Sequence, residues 1–148
     1  MRISSVTKND FDRLTEIWEG AVQMTHSFLT EADILFYKRQ VREVYLAAVE
    51  LVAVKDEAGM ILGFMGMSPP NRIEMLFVDP VCMRKGVGSF LIHYALEKHG
   101  SLELDVNEQN PAAIDFYEKL GFIRVGRSEL DGQGKPFPLL HMRLERNG

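Results

Sequence analysis

The stretch VDPVCMRKGVGSFLIHYAL, from Val78 to Leu96, decides how the rest of the chain is read. An apolar run stops at Asp79-Pro80, a short polar loop follows, and Gly86 and Gly88 then open a second apolar pattern with helical spacing. Glycine costs a helix roughly 1 kcal/mol relative to alanine, so two of them at a helix start need a reason. The first four amides of a helix have no partner within it, and the helix dipole adds partial positive charge there. Gly86 and Gly88 remove side chains that would hold a bulky phosphate off those amides, with Arg84, Lys85, Val87 and Ser89 completing the loop. The same glycines would also ease a tight strand-to-helix turn, so the loop alone leaves both explanations open.

Outward from this loop the chain alternates strand and helix signals. Towards the N-terminus, Ile3 to Val6 reads as a strand, and Phe11, Leu14, Ile17, Trp18 and Val22 follow at helical spacing. Thr30 with Asp33 marks a second helix start, continued by Ile34 to Val49. Leu51 to Lys55 and Met60 to Met67 read as a hairpin about Asp56 to Gly59, and Arg72 to Val78 is the next strand. After the loop, Val87, Leu91, Tyr94, Ala95 and Lys98 share one helical face, and His99-Gly100 ends that helix. Leu102 to Val106 is a strand, Asn110-Pro111 caps and opens a helix that stops at Gly121, and strands follow at Phe122 to Val125 and Pro138 to Leu144. The order β-α-α-β-β-β-α-β-α-β-β predicts an α/β layered domain: a single mixed, mostly antiparallel sheet flanked by helices. Its strand–helix–strand unit from Arg72 to Val106 pairs parallel.

Composition narrows the function. The 148 residues make one domain, 1–148, and 46% hydrophobic with 26% charged residues belongs to a folded globular chain. A net charge of −4 lacks the broad basic surface of a nucleic-acid binder, so nucleic acid is not an expected partner. The longest nearly apolar run, Val44 to Val54, is too short for a membrane span and contains Glu50, so no membrane association is expected. The single cysteine, Cys82, and the lack of a leader pattern make the cytoplasm the expected compartment. His93, His99 and His141 show no metal-ligand grouping and read as structural or exposed, so no metal is expected.

Three phosphate-binding patterns compete for the loop. A Walker loop requires Gly-Lys-Ser/Thr at its end, where this chain has Gly88-Ser89-Phe90. A dinucleotide fingerprint has an acid near the position of Asp105, but it needs a third glycine where Leu91 stands and a shorter approach than Asp79 to Lys85. The third is carried by Leu76-Phe77-Val78-Asp79-Pro80 followed by Met83-Arg84-Lys85-Gly86-Val87-Gly88, together with the run Asn107 to Phe122, NEQNPAAIDFYEKLGF. These two motifs, in this order and spacing, resemble the GNAT N-acetyltransferase superfamily, with L-x-V-x-P, R/Q-x-x-G-x-G/A and N-x-x-A-x-x-F-Y-x-x-x-G-F. Met83 departs from the usual Arg or Gln, which removes one side chain from the loop and leaves its backbone donors intact. The resemblance covers nearly the whole chain, and THSFL with DGQGKPFPLL is similar to the small bacterial YjaB-like group.

The resemblance implies transfer of an acetyl group from acetyl-CoA to a primary amine, on a small molecule or a protein, by direct attack in a ternary complex. It implies acetyl-CoA contacts from Leu76, Phe77, Val78, the loop Arg84 to Ser89, Asn107, Asn110 and Tyr117. The seven-residue spacing of Asn110 and Tyr117 puts both on one helical face. By resemblance, Tyr117 serves the departing thiolate. An alkylamine with ordinary pKa near 10.4 must lose a proton before attack. Glu74, on a strand face shared with Leu76 and Val78, is the candidate base, and it would equally suit a surface pair with Arg72. His26 and Phe28, between the first two helices, are the candidate acceptor pocket. A CoA- or nucleotide-binding sensor that lacks turnover is the alternative, and a homodimer is left open.

Overall fold

Residues 1–25 and 27–146 are described by the structure, a computed structural model. The strands are β1 (Arg2–Ser5), β2 (Glu50–Lys55), β3 (Ile61–Ser68), β4 (Arg72–Val78), β5 (Ser101–Asn107), β6 (Ile123–Ser128) and β7 (Leu139–Glu145). They form one sheet in the order β1-β2-β3-β4-β5-β7-β6. Every neighbouring pair is antiparallel except β4 and β5. The helices are α1 (Phe11–Thr25), α2 (Glu31–Gln40), the short α3 (Leu46–Ala48), α4 (Val87–His99) and α5 (Pro111–Lys119). The expected mixed, mostly antiparallel sheet flanked by helices is the observed architecture.

Strand alternation builds a core on each side of the sheet. Leu102, Leu104 and Val106 of β5 and Leu140, Met142 and Leu144 of β7 point to one side, where Val87, Leu91, Ile92 and Ala95 of α4 and Ile114 of α5 meet them. On the other side Leu14, Ile17, Trp18 and Val22 of α1, with Val41 and Leu46, pack on Ala53, Phe64 and Met75. The central strand β3 is buried on both faces, as Phe64 and Met65 are each fully enclosed.

Two elements differ from the sequence reading. The buried stripe of α4 is Val87, Leu91, Ile92 and Ala95, whereas Tyr94 is half-buried and Lys98 exposed, its ammonium 5.9 Å from the Tyr94 ring centroid. Ile92 takes the place of Lys98 because the dense core of β5 and β7 lies under that edge of the helix. The second helix begins at its Thr30–Asp33 capping box, with reciprocal hydrogen bonds of 3.0 and 3.1 Å. It then widens into a π-helical segment, Val41–Tyr45, before α3 ends it. Such a turn holds one extra residue and re-aims the side chains beyond it.

Candidate active site

The loop between β4 and α4 is shaped as an anion cradle. Gly86 caps α4 in the left-handed region, at φ 83°, and Arg84 is also left-handed, at φ 66°. The first backbone amide of this turn to find a carbonyl is that of Phe90, which donates to Gly86 at 2.9 Å. Among the described residues, no backbone carbonyl accepts from the amides of residues 84–89. Arg84 and Lys85 are exposed beside them. The two glycines have different reasons. A side chain at Gly86 would meet open space, so its left-handed backbone requires glycine there. At Gly88 a Cβ would come within 3.0 Å of Phe116 Cζ, so the absent side chain is a notch that seats a ring of α5.

Below this loop the sheet opens. β4 and β5 pair only at Arg72 with Glu103 and Ile73 with Leu104, and no further pairing joins them. The edge of β4 from Met75 to Val78 therefore keeps backbone groups on the β5 side without ladder partners. A second irregularity lies in the same strand. Met67 faces Ile73 and Gly66 faces Met75, so Glu74 is the extra residue of a β-bulge. The bulge reverses the alternation: Ile73, Leu76 and Val78 pack towards α4 and α5, while Met75 and Phe77 pack towards α1. Glu74 lines a pocket with Met75 and Phe77, which corrects the expectation that it shares a face with Leu76 and Val78.

That pocket has a volume of about 190 Å³. Its walls are largely apolar and aromatic, including Trp18 and Val22 of α1, Leu29, Phe77 and Phe137. Tyr37 of α2, Tyr45 of the π segment, Asn107 of β5 and Asp131 of the β6–β7 loop add the polar atoms. Its charged lining residues are the carboxylates Glu74 and Asp131. Asp131 is a built corner: Oδ1 accepts from the amides of Gln133 and Lys135 at 2.9 Å each, and Oδ2 accepts from the Tyr37 hydroxyl. Burial, then the Asp131 hydrogen bond, raise the Tyr37 phenol well above its ordinary range. Burial, then the Asp131 charge, raise that of Tyr45. Phe28 stands behind the wall, its ring centroid 5.4 Å from that of Phe137. His26 lies outside the described residues.

Glu74 also belongs to a polar rung that crosses the sheet on this face. It accepts from Ser68 Oγ at 2.9 Å and pairs with Arg72 Nε at 3.0 Å. Arg72 reaches Asp105, which holds His141 Nδ1 at 2.5 Å, and His141 Nε2 meets Ser128 Oγ at 2.7 Å. The pairing of Glu74 with Arg72 allowed by the sequence is thus present, and so is exposure to the pocket. Asp105, the acid a dinucleotide fold would offer to a ribose, is already engaged.

On α5, Tyr117 packs edge-on against Phe116 and Phe122, with centroids 5.2 and 5.4 Å away. Burial raises its phenol well above the ordinary value of 10. Asn110 is the cap of α5, 4% exposed, and its Oδ1 accepts from the Ala113 amide at 3.2 Å. Its backbone is not helical, at φ −117° and ψ 79°, so it does not share a helical face with Tyr117 as the seven-residue spacing suggested. Cys82 is buried, 8% exposed.

Comparison with known proteins joins these features. The acetyltransferase (GNAT) domain family matches residues 27–146. The chain belongs to the GNAT acetyltransferase family. The peptidyl-lysine N-acetyltransferase YjaB of Salmonella typhimurium is 38% identical over 131 residues, covering 88% of this chain and 89% of its own. YjaB of Escherichia coli K12 is 37% identical over 134 residues, covering 88% of each chain. The solution structure of apo-form Escherichia coli YjaB superposes with a TM-score of 0.89 at 36% identity, over 97% of both chains. The PaiA N-acetyltransferase of Thermoplasma acidophilum, solved in complex with coenzyme A, shares the fold with a TM-score of 0.79 at 18% identity.

As a GNAT acetyltransferase, the chain is an N-acetyltransferase, and the sensor and dinucleotide readings lose their ground. Its structure gathers Glu74, Phe77 and Asn107 at the opening between β4 and β5. Tyr37, Tyr45, Asp131 and Phe137 were missed in the sequence. Asp131 was visible only as part of a turn, DGQGK, and nothing local tied it to Tyr37, 94 positions away. Among the described residues, no helix is long and apolar enough to cross a membrane, and no group of three or more metal-ligating side chains is present.

Proposed function

We propose that this GNAT acetyltransferase acetylates the ε-amine of lysine side chains on peptides or proteins, with acetyl-CoA as donor and direct attack in a ternary complex. The observation that carries the reading is the opening between β4 and β5, which lies between an unpaired-amide loop on one side and an acid-lined apolar pocket on the other. The relatives' name, peptidyl-lysine N-acetyltransferase, supports lysine over other amines.

Bound acetyl-CoA would supply the activated acetyl thioester. The amides of residues 84–89, with Arg84 and Lys85, suit its phosphates, since charge-assisted hydrogen bonds to backbone N–H are strong. The free edge of β4 at Leu76, Phe77 and Val78 suits the amide-bearing pantetheine arm as an added strand, and its N–H groups suit an oxygen that gains negative charge. The apolar walls accommodate the methylene stem of lysine, and Glu74 and Asp131 attract its ammonium. Glu74, held by Arg72 and Ser68, takes the amine's proton directly or through water. Tyr117 donates a hydrogen bond to the leaving sulfur. Full transfer from a phenol above 10 to a thiolate near 8.5 would be uphill by at least about 2 kcal/mol, so the hydrogen bond is the step assigned to it. Buried Cys82 takes no part. The cytoplasm suits this chemistry and a chain with one free cysteine.

The test is incubation of the purified protein with acetyl-CoA and a lysine-containing peptide, following free thiol and the peptide's mass. Thiol release with acetyl added at the lysine Nε is the expected result. Release only with free amino acids or polyamines, or with α-amines, would replace the acceptor class.

A further inference from the structure

Among the described residues, three buried side-chain polar atoms have no hydrogen-bond partner: Arg13 Nε, the Tyr45 hydroxyl oxygen and Asn107 Oδ1. Two of the three line the same pocket. Buried polar atoms are almost always paired, because an unpaired one keeps its desolvation cost without compensation. The pair comes from elements far apart in sequence, each locally irregular. Tyr45 ends the π-helical segment, and Asn107 ends β5, where that strand has parted from β4.

Their chemistry specifies what would satisfy them. An amide oxygen only accepts, and a phenol both accepts and donates. The ligand must therefore bring an N–H or O–H donor to Asn107, and the carboxylates Glu74 and Asp131 in the same lining favour a cationic one. A primary amine fits. In its neutral form it has two N–H donors and one lone pair, so giving one N–H to an oxygen restricts where the lone pair points.

We propose that Asn107 Oδ1 receives and orients the acceptor amine, and that Tyr45 is a second specificity-determining contact to the same acceptor molecule. This moves Asn107 from the cofactor, where the family resemblance put it, to the amine. It rests on the acetylation of an alkyl amine argued above.

The test uses Asn107→Leu and the near-isosteric Tyr45→Phe in the full chain, with a lysine-containing peptide and acetyl-CoA. Each variant removes an unpaired buried polar atom, so the free protein's thermal midpoint should hold or rise; a structural role predicts a fall. The acceptor kcat/KM should drop at least tenfold for Asn107→Leu and about fivefold for Tyr45→Phe, with KM for acetyl-CoA within twofold of wild type. Asn107→Asp, which keeps an accepting oxygen, should recover part of the loss. A raised KM for acetyl-CoA with acceptor KM unchanged returns Asn107 to the donor side and overturns the proposal, as does a lowered midpoint with unchanged kinetics. If wild type acetylates no amine, the broader reading falls and takes this one with it. If wild type is active and the variants match it, this inference alone fails.

Discussion

The donor side and the acceptor side of this molecule are built from different material. The donor loop is one continuous segment whose working groups are backbone amides, shaped by Gly86 and shielded by a ring of α5 in the notch at Gly88. The acceptor pocket takes single side chains from α1, α2, the π segment, β4, β5 and the loop before β7. A site made of backbone keeps its chemistry whatever the neighbouring side chains are, whereas a site made of scattered side chains can change its guest through one substitution. The difference separates what this chain shares with its family from what sets its own acceptor.

The sharpest way to break the comparison is at Gly88. Gly88→Glu forces a side chain into the space of Phe116 and puts negative charge among the free amides, so affinity for acetyl-CoA should fall more than 100-fold by calorimetry. Retained affinity would mean that the loop is not the donor site. Next is Tyr117→Phe, expected to lower kcat about 100-fold, the lower range for a positioned proton donor, with acetyl-CoA affinity within twofold. Burial favours the protonated phenol, so Tyr117 should contribute no alkaline decline in wild-type rate below pH 10.

On the acceptor side the effects should be smaller and fall on a different constant. Tyr37→Phe removes the hydrogen bond that ties the β6–β7 loop to α2, a charge-assisted contact worth roughly 1.5–3 kcal/mol. Acceptor KM should rise several-fold while KM for acetyl-CoA stays put, with a melting temperature lower by a few degrees. Equal shifts in both constants would show that the two sides are not separable. The smallest effect is expected at Asn110→Ala, which removes a helix cap worth about 1 kcal/mol and should leave both KM values alone. A weaker grip on acetyl-CoA in that variant would give Asn110 a direct role at the donor.

The contrast also explains what could be read from the sequence. Gly86, Gly88 and Tyr117 sit in contiguous motifs with fixed offsets, so spacing was enough to find them. The strand alternation of β5, Leu102, Leu104 and Val106 inward, was legible for the same reason, since local period and burial agree. Glu74 was found but turned the wrong way, because a bulge depends on pairing with β3 and leaves no mark on β4 alone. The widened turn at Val41–Tyr45 was read as uninterrupted helix, since its composition is that of any helix. Tyr37 and Asp131 meet only after the sheet has brought the last loop over α2. Lys98 misled through regular spacing alone, in a helix whose core stripe runs one position over.

The extra residue at Glu74 makes β4 a sentence with a shifted reading frame. Upstream of it, odd-numbered positions speak to the helices α4 and α5; downstream, even-numbered ones do. Deleting one residue at the kink while keeping the turn before it would swing an acid or its neighbours from one side of the sheet to the other without altering any motif. Length conservation in this seven-residue strand is therefore as much a requirement of the chemistry as the identity of any residue in it.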